Sequence, residues 1–210
     1  MTKSHRTPLI HLATLGREHF ALDLSSERLL RLETLSLDAP SSEIAPLAPL
    51  MAGELTTDEH PDPMRPELFR CDTLQVAAIK APRRRTRKTL ERLAAPTHQP
   101  PLWRSGPSVA YSRLVGMHPS TAILSLTKSM SIFENPRDHL LHLGFSWNET
   151  MDSLPLSLEL CERLIAQPAQ PVTGRKALKA ILGYRPSFAL VAYALPEDGY
   201  CKKVVVGLYQ

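Results

Sequence analysis

Residues 80–92 read Lys-Ala-Pro-Arg-Arg-Arg-Thr-Arg-Lys-Thr-Leu-Glu-Arg, seven cations against one acid, Glu91. Arginine's planar fork binds two phosphate oxygens at once, and so dense a run of positive charge ordinarily faces a polyanion. The segment carries about +6 where the whole chain carries +4, so the rest of the protein is slightly acidic. Lys80, Arg83, Arg84, Arg85, Arg87, Lys88 and Arg92 are the expected phosphate contacts, with RNA and DNA equally suited. An acidic protein surface, or simply water, could face the same cations. Trp103 and Arg104 follow shortly, and Tyr111 with Arg113 further on. Interleaved aromatic and cationic groups suit single-stranded nucleic acid, although core packing competes for both aromatics.

Other chemistry is thin. His139 and His142, three residues apart with Asp138 and Glu134 nearby, could begin a metal site, but no third ligand follows at a recognisable spacing, so no metal is expected. Eight histidines and many serines are present without a Gly-x-Ser-x-Gly elbow, so no nucleophile can be named. His11, His19, His118 and Tyr193 are the residues a metal-independent endoribonuclease would draw on, a general base beside a cationic clamp. No phosphate loop or dinucleotide fingerprint occurs, and no cofactor is expected. Leu140–Ser153 has the outline of a helix–Gly–turn–helix. Its second helix would carry Glu149 and Asp152 and no base, which repels phosphate and favours a plain helical corner.

The elements that must position these groups can be read in outline. A strand over Thr73–Lys80 delivers the chain to Pro82, which suits the entry of a helix over 83–95 that Pro96 stops. On that helix Arg84, Lys88 and Arg92 form one row, and Leu90, Leu93 and Ala94 supply a narrow apolar stripe. Leu9–Leu15 and His19–Leu24 predict an N-terminal hairpin, after which Ser25 caps a helix over Ser26–Leu35. Residues 36–67 hold six prolines and seven acids with Arg65 the only Lys or Arg, the composition of an acidic linker or long loop.

Ser108–Val115 reads as a strand, and Leu124–Ile132 alternates like a half-buried one. Asp138–Leu143, Asn148–Ser153, Leu156–Ala166 and Gly174–Leu182 look helical. Phe188–Leu195 and Cys201–Tyr209 flank Pro196-Glu197-Asp198-Gly199 as a C-terminal hairpin. Val204, Val205 and Val206 need cover on both faces, which places that hairpin inside a sheet.

The fold expected is therefore α+β: an antiparallel sheet with N- and C-terminal hairpins, helices inserted between them, and a basic helix on the surface. Its regions are 1–35, a linker over 36–67, and a body over 68–210 containing helix 83–95 and hairpin 188–209. Three cysteines, odd in number and without a CxxC pair, suit a reducing compartment. No apolar run reaches the roughly 18–20 residues that span a bilayer, and no secretory leader is evident, so the chain reads as cytoplasmic with no membrane partner. The leading expectation is a nucleic-acid-binding subunit of a larger nucleoprotein assembly. A non-enzymatic adaptor for an acidic protein comes second, and an endoribonuclease is the remote third.

Overall fold

The alternation beginning at Leu9 builds the hairpin it predicts. β1 (Leu9–Leu15) and β2 (Glu18–Asp23) pair antiparallel, with Leu15 opposite Glu18 across Gly16 and Arg17. Gly16 takes φ +59, a left-handed value that glycine adopts at no steric cost. In this computed structural model residues 9–34, 44–57, 62, 64–94, 106–114, 119–126, 129–147, 150–165, 168 and 170–210 are described.

The helix expected over Ser26–Leu35 is instead β3 (Arg28–Thr34), antiparallel to β2. The cause lies in the turn before it. Asp23 accepts hydrogen bonds from the Ser25 amide and from both serine hydroxyls, and Glu27 takes φ +55. Local bonding of this kind competes with helix initiation. Leu30 and Leu32 then face a core with Leu9, Ala21, Ile44, Leu50, Cys71 and Leu74. Arg31, between them in sequence, is fully buried: its Nε donates to Glu18 Oε2 at 3.1 Å, and its guanidinium carbon lies 5.1 Å from the Phe20 ring centroid.

The 36–67 window also departs from expectation. Its described residues contribute β4 (Pro49–Ala52) and β5 (Leu55–Thr56), joined by β6 (Leu68–Cys71) and β7 (Leu74–Val76). The seven-stranded order is β5-β6-β3-β2-β1-β4-β7, antiparallel except for the β3–β6 pair. Arg65 binds Glu18 and Asp62, so the window's single base is committed to structure. The strand expected over Thr73–Lys80 shortens to β7, and α1 (Arg83–Leu93) follows.

The chain divides into two units, Met1–Leu93 with Met117–Pro119, and Ala94–Gly116 with Ser120–Gln210. The division falls after the basic helix rather than around the acidic window, so α1 belongs with the N-terminal sheet.

The second unit begins with β8 (Ser108–Ala110) and a 3-10 turn at Tyr111–Arg113, where a longer strand was expected. The run Leu124–Ile132 does not form one strand. It splits into β9 (Thr121–Ser125) and β10 (Ser131–Glu134), which join different sheets. β11 (Leu141–Trp147) and β12 (Thr150–Pro155) replace the helices expected over Asp138–Leu143 and Asn148–Ser153, and pair as a hairpin. Strand pairing decides this, and it buries His142, Leu143 and Phe145 in β11 and Leu154 in β12.

α2 (Leu158–Glu162) is shorter than its sequence prediction and is capped by Ser157, whose hydroxyl accepts from the Leu160 amide at 3.2 Å. β13 (Val172–Thr173) leads into α3 (Arg175–Leu182), which ends on left-handed Gly183 as expected. β14 (Phe188–Tyr193) and β15 (Tyr200–Tyr209) form the C-terminal hairpin. It lies inside its sheet, in the order β8-β15-β14-β9, and a separate sheet of this unit runs β12-β11-β10-β13. Antiparallel sheets with a few helices thus make up the described chain, consistent with α+β.

Candidate nucleic-acid interface

α1 is anchored by a small set of side chains. Its buried residues are Thr86, Thr89 and Leu90, so the buried stripe is more polar than the Leu90–Leu93–Ala94 stripe predicted from sequence. Both threonines satisfy themselves within the segment: Thr86 Oγ1 donates to the Pro82 carbonyl at 3.2 Å and Thr89 Oγ1 to that of Arg85 at 3.1 Å. Two arginines tether the helix to the turn between β2 and β3. Arg85 Nη2 donates to the Leu24 carbonyl at 2.8 Å, and Arg92 forms an ion pair with Glu27. The row Arg84–Lys88–Arg92 is therefore not uniform, because Arg92 already has an anion.

The remaining cations face solvent. Lys80, Arg83, Arg84, Arg87 and Lys88 are all exposed. Arg87 pairs with Glu91 one turn on, at 3.0 Å, while Arg83, Arg84 and Lys88 form no ion pair with another described residue. The first turn of α1 holds three arginines and no acid. The amide ends there already carry partial positive charge, so each cation at that position opposes helix formation. Trp103 and Arg104 lie outside the described residues. Tyr111 and Arg113 are exposed on the 3-10 turn of the second unit.

The described histidines separate into two systems. His11 and His19 do come together, buried in the first unit and bridged by Thr14: His19 Nδ1 lies 3.2 Å from the threonine hydroxyl, which lies 3.3 Å from His11 Nε2. His11 Nδ1 faces the Ala45 carbonyl at 3.2 Å. Desolvation lowers the His19 pKa below its ordinary value. His118 lies outside the described residues, and Tyr193 is buried in β14.

His139 and His142 are not neighbours on a helix. His139 is exposed in the loop after β10 and pairs with Glu134, whereas His142 is buried in β11 between Asp138 and Ser153. Sequence spacing missed Ser153 because it reaches His142 only across the β11–β12 pairing. No group of three or more His, Cys, Asp or Glu that could hold a metal occurs among the described residues. No described helix is long and apolar enough to cross a membrane. Compared with known proteins, the chain matches no family model, no curated protein and no solved structure.

Proposed function

We propose that this chain binds nucleic acid through phosphate contacts from Lys80, Arg83, Arg84, Arg87 and Lys88, as a subunit of a larger nucleoprotein assembly. The observation that carries the reading is the first turn of α1, where arginines without an acidic neighbour stand at the positive end of the helix dipole. Such an arrangement costs helix stability and is relieved by a bound anion. Arg85 and Arg92 position the helix, and they are withdrawn from the phosphate-binding set because their partners lie on the turn between β2 and β3, whereas Arg87 pairs only with exposed Glu91 on its own helix. Recognition is by charge and shape, with no base-reading residue assigned.

The test is titration of the chain and of an Arg83→Gln/Arg84→Gln/Lys88→Gln variant against single- and double-stranded RNA and DNA at several salt concentrations. Removing one cation from a phosphate makes the slope of log affinity against log salt shallower by about 0.7–0.9. The expected result is a slope shallower by roughly 2–3 and weakening on all sequences alike. Equal affinity and equal slope would transfer the helix to an acidic protein partner. Val76 and Ile79, exposed apolar residues just before Lys80, favour that second reading.

A further inference from the structure

The geometry around His142 points to a second chemistry, independent of α1: we propose that Ser153 is a nucleophile toward activated carboxylic esters, with His142 as its base and Asp138 orienting the imidazole. His142 Nε2 lies 2.9 Å from Asp138 Oδ2, and Nδ1 lies 3.3 Å from Ser153 Oγ. An ionised carboxylate only accepts, so Nε2 carries the ring proton and donates it to Asp138. The Nδ1 lone pair is then available to the Ser153 hydroxyl. Nucleophile, base and orienter stand in the order that activates a hydroxyl, with the two ring nitrogens exchanged relative to the usual triad.

The fold sets this order in three steps. The loop after β10 closes when the Asn135 amide donates to the Leu140 carbonyl at 2.8 Å. Within it Asp138 Oδ1 accepts from the Leu140 amide at 3.1 Å, which leaves Oδ2 directed at His142. Burial pushes the Asp138 carboxyl up, but the bonds from Leu140 and His142 outweigh it and hold it below the usual carboxylate range. Asn135 supports the loop through Oδ1, which accepts from the Arg137 amide at 3.1 Å; its Nδ2 lies 3.3 Å from His142 Nε2 but makes no bond there when Nε2 carries the proton. On the other side Ser153 stands opposite Gly144, two pairing positions from His142, so no side chain from that partner intervenes.

The substrate class follows from what surrounds the hydroxyl. Phe133, its ring centroid 6.1 Å from that of His142, and exposed Leu140 offer an apolar surface for an acyl group. The Ser153 amide is not open as an oxyanion donor, because it donates to Asp152 Oδ1 at 2.8 Å. Loss of one such donor costs about 10²–10³ in rate, so the substrate must bring a good leaving group. Ser153 Oγ attacks the acyl carbon while its proton passes to His142 Nδ1. The bond to the leaving oxygen then breaks, and that oxygen departs with the proton. Water reverses the sequence and releases the acid, so ester and water give acid and alcohol.

The full chain is treated with a fluorophosphonate probe, which phosphonylates an activated serine with loss of fluoride, and separately with p-nitrophenyl acetate. Intact and peptide mass spectrometry should show one adduct, on Ser153, with Ser131 on neighbouring β10 unlabelled. p-Nitrophenol should appear in a burst of about one equivalent, as an accumulating acyl-enzyme gives. Asp138→Asn keeps the acceptor for Leu140 and should slow labelling at least tenfold at an unchanged melting temperature, since the side chain is 40% exposed. Ser153→Ala should abolish the adduct. No adduct on Ser153, labelling of Ser131 at the same rate, or an Asp138→Asn rate equal to the parent's would each overturn the assignment. None of these residues lies on α1, so nucleic-acid binding and acylation stand or fall separately.

Discussion

Helix α1 begins with Arg83, Arg84 and Arg85, helix α3 with Arg175 and Lys176, and neither has an acid in its first turn. What lies beneath them differs. α3 buries Leu178, Ile181 and Leu182, and its Arg175 donates to the Pro186 carbonyl at 2.8 Å and to the Ser187 hydroxyl. α1 buries one leucine and two threonines, and it relies on arginine tethers at Leu24 and Glu27. Cations at a helix N-terminus oppose the dipole by about 0.3–1 kcal/mol each. In α3 the apolar face and the Arg175 bonds offset that cost. In α1 Arg83 and Arg84 stand in solvent, with no ion pair to another described residue to offset it. The pair teaches that an adverse first turn is unremarkable on a well-buried helix and informative on a lightly held one.

The largest effect should come from cutting into the α3 seam. Leu178 is 0% exposed, and Leu178→Ala should cost about 2–5 kcal/mol by urea denaturation. Thr89→Ala in α1 should cost about 1 kcal/mol or less, because its hydroxyl bonds only to its own helix. Equal losses would erase the contrast between the helices.

Acid should next separate the units. Burial favours neutral His19 in the folded state, while the unfolded chain takes up the proton near the ordinary value of 6.5. The unfolded state therefore binds more protons, and stability falls as pH drops below about 6.5, with no His19 effect above it. The slope from one histidine is at most about 1.4 kcal/mol per pH unit. Urea midpoints between pH 7.5 and 5 should move for the unit carrying α1, and His19→Gln should flatten that dependence. An unchanged slope in the variant would assign the acid sensitivity elsewhere.

Removing the tethers tests how α1 is held. Arg85→Ala and Arg92→Ala should each cost about 1 kcal/mol or less, since Arg85 is tethered by a hydrogen bond to one carbonyl and the Arg92 ion pair is exposed, Arg92 being 50% exposed. Helix content by circular dichroism would fall only if the tethers, rather than Leu90, hold the helix. The smallest effect has the sharpest sign. Arg84→Glu should raise stability by about 0.3–1 kcal/mol while weakening nucleic-acid binding. A variant that loses both stability and affinity would show Arg84 to be structural.

Both terminal hairpins, α1 and α3 were legible in the sequence because their signals are local: alternation around a turn, proline before a helix, glycine after one. The exposed cations on α1 were legible for the same reason, being consecutive in the chain. The failures came where two periods fit equally well. Leu29, Leu30 and Leu32 suit a helix or a strand, and the Asp23 turn before them together with pairing to β2 makes the strand the lower state. The segment holding His139 and His142 likewise became loop and strand through pairing with β12.

The sequence by itself determined the charge of residues 80–92, the helix that carries it and the hairpin that closes the chain, since these depend on neighbours a few positions apart. Tertiary structure decided which arginines of α1 are tied down, by placing Leu24 and Glu27 against Arg85 and Arg92. It also decided that Asp138, His142 and Ser153 meet. A hydrogen bond across paired strands depends on register, and register is set by burial of the whole sheet rather than by the residues that bond.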